Sequence, residues 1–201
     1  MNFKHTPHFK KRSVNTQHGV LDVDFSANTD NFTYKAYRLW ENMLYRCYHT
    51  TDVKCMKSYK DCSVCEEWLL FSNFLEWYKS NYIEGYTLDK DIIVKNNRIY
   101  SPETCCFVPK ELNSLFGNKG KKNGKLPIGV RKIGNNIYAQ LWKYGNVYTF
   151  GTFDNTKDAH SKYVLEKEKY IKEIAQKYFN EGKITKRVYD ALMKYEVEIT
   201  D

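Results

Sequence analysis

The chain has 201 residues, 42% of them apolar and 16% aromatic, enough to build one large or two small packed cores. Its formal net charge is +8, which sets aside an acidic or charge-poor disordered chain and points to an anionic partner. No run of about 18 apolar residues occurs, and the N-terminal stretch lacks the apolar segment of a secretory leader, so a cytoplasmic protein (in the host cell's cytoplasm if a phage encodes it) without a membrane segment is expected.

The charge is distributed unevenly. Residues 1–33 carry four Lys/Arg against three acids, residues 34–111 eleven against eleven, and residues 154–201 ten against ten. Residues 112–153 carry seven cations (Lys119, Lys121, Lys122, Lys125, Arg131, Lys132 and Lys143) and no acid. An acid-free basic segment suits a phosphate-facing surface, because each neutralised phosphate releases counterions. A solvated hinge is the plain alternative for its Gly/Asn/Lys-rich part.

In chain order, residues 1–33 read as an N-terminal arm holding His5, His8 and His18. The run Tyr34 to Tyr48 places Tyr37, Trp40, Met43 or Leu44 and Cys47 at three- and four-residue steps, which predicts an amphipathic helix. His49 follows it. Glu66 to Asn81 predicts a second helix with Trp68, Phe71, Phe74 or Leu75 and Tyr78 in its stripe. Both stripes are core faces before they are binding faces. Cys47, Cys55, Cys62, Cys65, Cys105 and Cys106 all lie in this half. Cys62 and Cys65 have the CxxC spacing of a zinc pair, but the other close pair is adjacent and chelates poorly, so buried thiols rather than zinc are expected.

Tyr86 to Ile93 reads as a strand, Val94 to Pro102 as a loop, and Glu103 to Phe116 passes through CysCysPheValPro into a helix carrying Asn113. Residues 118–125 form the basic linker. After Pro127, IleGlyValArgLys is a short strand, GlyAsnAsn a turn, Ile137 to Lys143 a second strand, TyrGlyAsn a turn and Val147 to Phe153 a third strand. A helix follows from about Thr156, an N-cap candidate, with Asp158 in its first turn. Alternation puts Ala139 and Leu141 on one face, toward a helix presenting Ala159 and Tyr163, and Tyr138, Gln140 and Trp142 on the other, open face. Past Lys177, Asn180 to Gly182 end the helix and Thr185 starts another with Tyr189, Leu192 and Met193 on its apolar side. This extension, 178–201, is expected to buttress the fold or to form a homodimer contact.

GlyValArgLys, TyrAlaGlnLeu, PheGlyThrPheAspAsnThr and the later Ala159 and Tyr163 resemble the Apetala-type, or ethylene-response-factor, DNA-binding domain over about 50 residues. The resemblance implies contacts to double-stranded DNA from Arg131, Ile133, Tyr138, Gln140, Trp142, Val147 and Thr149, joined by the basic Lys132, Lys143, Lys121 and Lys122. The stretch from Trp40 to Asn113 resembles a phage HNH-type, His-metal finger endonuclease family whose members carry such a domain at the C-terminus. That implies a helical, ββα-type half (34–117) before the sheet domain (126–177), and an α+β chain overall. It also implies one magnesium ion held by Asp89 and Asp91, with Asn113 completing the site.

The sequence departs from the HNH pattern where it matters for mechanism. The histidine that serves as general base is replaced by Lys90 in LeuAspLysAsp, and a lysine of ordinary pKa, about 10.4, accepts no proton near neutrality. The middle asparagine falls near Thr104. Of the histidines, only His49 lies in the central block as a substitute base, and its plain reading is a surface residue after a helix. Three readings stay open: a metal-dependent DNA endonuclease, a catalytically degenerate DNA-binding regulator or host-takeover factor, and a protein-binding module against a host partner.

Overall fold

The structure, a computed structural model, describes residues 18–25, 32–49, 59–116 and 126–197. The fold is α+β, in two compact units that divide between Phe107 and Val108. The N-terminal arm up to His18, Cys55 and the basic linker, with Lys121 and Lys122, lie outside the described residues.

The first unit is built around rings. Helix α1 (Phe32–Tyr48) buries Tyr37, Trp40, Met43 and Leu44, the stripe its spacing predicts. Trp40 is enclosed, so its indole needs a partner, and Nε1 donates to Trp68 O at 2.6 Å. Glu41 is buried on the same helix, where it accepts the Tyr37 hydroxyl at 3.1 Å and pairs with Arg38. Burial, with the carboxylate of Glu41 next, pushes the Tyr37 phenol above its usual range.

The helix expected over Glu66 to Asn81 is interrupted. A 3-10 turn (Glu66–Leu69) gives way to extended backbone at Leu70, and α2 then runs Phe71–Asn81. A segment far upstream causes the break: Val20 forms a parallel bridge with Leu70, its amide donating to Leu69 O at 2.7 Å while Phe71 N donates to Val20 O at 3.0 Å. Asp22 then takes the part of an N-cap from outside the helix, accepting Ser72 N at 2.8 Å and Ser72 Oγ at 2.5 Å. Trp68, Phe71, Phe74 and Tyr78 close the core, with Trp68 edge-on to Phe74 at 5.0 Å and Phe107 edge-on to Tyr78 at 5.7 Å.

Four short strands edge this core. β1 (Ser63–Val64) pairs in parallel with β3 (Ile99–Tyr100), and β2 (Tyr86–Asp89) lies beside β4 (Cys106–Pro109), in which the first unit ends. The strand expected to reach Ile93 stops at Asp89. The helix carrying Asn113, α3 (Lys110–Ser114), is five residues long and belongs to the second unit.

The second unit is a three-stranded antiparallel sheet, order β5-β6-β7, on one long helix. β5 (Val130–Ile133), β6 (Asn136–Lys143) and β7 (Asn146–Phe153) are joined by two-residue turns. At the second turn both Tyr144 (φ 51) and Gly145 (φ 79) are left-handed, as a type I′ hairpin requires, and Tyr144 is held there by its amide donating to Tyr170 Oη at 3.2 Å. Helix α4 (Thr156–Asn180) packs on the inner face through Ala159 and Tyr163, as alternation predicts. Its N-cap is Asn155 rather than Thr156: the Asn155 side chain accepts Asp158 N at 2.9 Å. Gly129, with φ +75, brings the chain so close to the helix that a Cβ there would meet the Tyr163 ring at 2.0 Å. Helix α5 (Lys186–Met193) starts at Thr185, buries Val188 and Leu192, and stacks Tyr189 on Phe179 of α4 at 4.6 Å, so the C-terminal extension does buttress the long helix. No helix among the described residues is long and apolar enough to cross a membrane.

Candidate nucleic-acid interface

The register of the sheet assigns every side chain to a face. Val130 opposite Ala139, Lys132 opposite Ile137 and Phe153, and Leu141 opposite Tyr148 fall on the side that carries α4. Tyr138 between Arg131 and Thr152, Gln140 opposite Thr149, Trp142 opposite Val147, and Ile133 opposite Asn136 make up the outer face. The outer face is uncovered in its strand ends, with Trp142 64%, Val147 52% and Ile133 52% exposed. Exposed rings and aliphatic groups on a sheet face lose free energy to water unless something covers them, roughly 25 cal/mol per Å2 of apolar surface. Arg131 is the charged group of this face, and no acid occurs anywhere in residues 112–153.

Gln140 and Thr149 are tied to each other: Nε2 of Gln140 donates to Thr149 Oγ1 at 3.1 Å, which fixes the carboxamide plane above the sheet. Asn136 Nδ2 donates in the same way to Tyr138 Oη at 3.2 Å. Between Tyr138 and Gln140 the register slips by one residue, so that Thr152, not Gly151, stands opposite Tyr138, and Gly151 takes φ +95 in the bulge. Asn136 and Thr152 therefore join the outer face without having been expected there. The expected turn GlyAsnAsn took in Asn136, but the turn is two residues long and pairs Ile133 with Asn136. Nothing short of the bulge itself places Thr152.

Two expected contacts move. Lys143 lies on the α4 side, with its ammonium 5.8, 5.2 and 5.6 Å from the ring centres of Tyr144, Tyr148 and Tyr170. A cation held over three aromatic faces is stabilised where it is, and it does not reach out beside Trp142. Lys132 also falls on the α4 side by register, although it is exposed. Arg131, Tyr138, Gln140, Trp142 and Thr149 remain together on the outer face.

The Asp89 to Asp91 segment is a turn rather than a strand. Asp89 Oδ1 accepts the amides of Asp91 and Ile92, both at 2.7 Å, which bends the backbone out of β2 in the manner of Asp side chains that capture amides two and three residues on. Lys90, 6% exposed, turns inward: Nζ donates to Asp91 Oδ1 at 2.5 Å and to Asn97 O at 3.1 Å, and lies 5.8 Å from the Tyr100 ring centre. Asn97 answers by donating from Nδ2 to Lys90 O at 2.9 Å and Ile99 O at 2.6 Å, and Thr104 Oγ1 closes the loop on Ile99 O at 2.7 Å. Burial raises the Asp89 carboxyl above its usual range, against the pull of the two amides.

This donor set does not fit a divalent cation. Asp91 is already neutralised by an ammonium that a metal would meet as a like charge, and one oxygen of Asp89 is engaged by two amides. Asn113, expected to complete the site, stands on α3 in the second unit. His49 ends α1 with its ring 5.0 Å from that of His18 and Nε2 buried. Cys62, Cys65 and Cys105 are free thiols, and burial pushes Cys105 up to about 12.

No protein-family model, no curated protein and no solved structure matches this chain.

Proposed function

We propose that the chain binds double-stranded DNA by laying the outer face of β5, β6 and β7 in a major groove. One observation carries this: a sheet face that its own helix leaves uncovered displays Arg131, Tyr138, Gln140, Trp142 and Thr149 within a segment that holds no acid. A B-form major groove, about 12 Å wide, admits strands separated by about 4.8 Å. Arg131 supplies a guanidinium for phosphate or guanine, and the polar and aromatic groups meet base edges.

Hydrolysis is not part of this reading. Lys90 stands where the resemblance to phage HNH proteins puts the base, and its Nζ is turned inward, donating to Asp91 Oδ1 and Asn97 O. The unit that contains it acts as a packed platform in a DNA-binding regulator of phage or mobile-element type.

The test is gel retardation of duplex DNA at fixed salt with the parent and an Arg131→Glu, Trp142→Ala variant. Loss of retardation in the variant is expected. Unchanged retardation would move binding off this face, and no retardation by the parent would leave a protein-binding module as the reading. Supercoiled plasmid incubated with magnesium is expected to stay supercoiled; nicking abolished by Asp89→Asn would restore the metal-dependent endonuclease.

A further inference from the structure

We infer that the outer face recognises A·T base pairs through the thymine methyl group, a reading that rests on the DNA-binding proposal above and names its substrate. Same-face residues along β6 are two positions apart, about 6.7 Å. Two base-pair rises amount to about 6.8 Å. Tyr138, Gln140 and Trp142 are thus far enough apart to address different base pairs.

The chemistry at each step is specific. The carboxamide of Gln140 gives one N–H to Thr149 Oγ1 at 3.1 Å and has a second N–H and Oε1. These form an acceptor and donor side by side, the complement of N6–H and N7 of adenine. The next step holds large, mainly apolar side chains without an acceptor: Trp142 and Val147 face each other across the strands, 64% and 52% exposed. Among the groups that base pairs present in the major groove, the C5-methyl of thymine is the apolar one. Over cytosine Trp142 and Val147 would cover an amino group and offer it no acceptor, at the cost of an unpaired donor. The single arginine of the face is too little to read a G·C-rich site, where each guanine asks for a charged or paired donor.

The experiment is competition binding of the full chain at one salt concentration to alternating poly(dA-dT), poly(dA-dU) and poly(dG-dC) duplexes, which differ at the methyl or at the base pair. The dA-dT duplex is expected to bind tightest, and dA-dU to bind about fourfold more weakly for each thymine methyl that the face covers. A Trp142→Ala, Val147→Ala variant, altered at exposed positions alone, is expected to bind dA-dT and dA-dU alike. Equal affinity of the parent for dA-dT and dA-dU, or preference for dG-dC, would overturn the methyl reading and leave DNA binding standing. Failure to bind any of the three duplexes would overturn both.

Discussion

Two basic side chains, Lys90 and Arg131, each follow or lie within a short strand, and they show how differently the two units use charge. Lys90 is folded inward, joined to Asp91 and Asn97 and set against Tyr100. Arg131 stands on an outer face with no acid in its segment. Residues 34–111 carry as many acids as cations, whereas residues 112–153, which include the sheet, carry cations alone. A cation closed over its own carboxylate holds a loop together and offers nothing to a ligand. An exposed one in a segment without acids raises the local concentration of an anionic ligand.

Four substitutions break or sharpen that contrast. The largest effect is expected from Gly129→Ala, where a Cβ would enter the Tyr163 ring at a left-handed φ of +75; the sheet unit should lose about 3 kcal/mol in urea unfolding, and DNA retention should fall with it. Lys90→Ala comes next. It removes a buried stem and two hydrogen bonds and should cost about 2 kcal/mol of stability while leaving DNA affinity unaltered, since its partners Asp91, Asn97 and Tyr100 all belong to the first unit. A drop in affinity at unchanged stability would reverse the roles given to the two units.

Arg131→Ala should do the opposite, weakening duplex binding about tenfold and lowering the salt slope by about 1, with unfolding unchanged within about 0.5 kcal/mol. The smallest effect is that of Asp89→Asn, which keeps an oxygen for the amides of Asp91 and Ile92 and removes a desolvated charge. Because burial raises this carboxyl in the folded protein, the native state holds the proton more tightly than the unfolded chain. Stability therefore falls as pH rises from the ordinary aspartate value through the raised one, then levels. Asp89→Asn should lack that fall and equal or slightly exceed the parent at neutral pH, by less than about 1 kcal/mol. A variant less stable than the parent at neutral pH in thermal unfolding would mean that the carboxylate charge is favourable there.

The sheet unit was legible from sequence because its determinants are local. Alternation separates Ala139 and Leu141 from Tyr138, Gln140 and Trp142, two-residue turns fix the pairing, and Ala159 and Tyr163 sit one turn apart on the helix. The same alternation groups Lys143 with Ala139 and Leu141, on the side that carries α4. The break at Leu70 was not legible, since its cause is Val20, some fifty residues upstream. The strand beyond Tyr86 looked continuous to Ile93 because LeuAspLysAspIleIle alternates well enough; an Asp side chain that captures two amides leaves no mark in such a pattern. The paired acids there carry the composition of a metal site, and only the direction of the lysine between them shows what they hold.

The bulge in β7 has a geometric outcome beyond the placing of Thr152. Between the same two pairs β7 contains one residue more than β6, so it must arc around its neighbour, and added right-handed twist comes with the arc. A groove is a winding channel, and a flat ribbon laid in it touches at one point and then departs. A ribbon that coils stays in touch along its length. Under the proposed DNA binding, the stretch of groove the sheet follows depends on a surplus of one residue in β7, at Gly151.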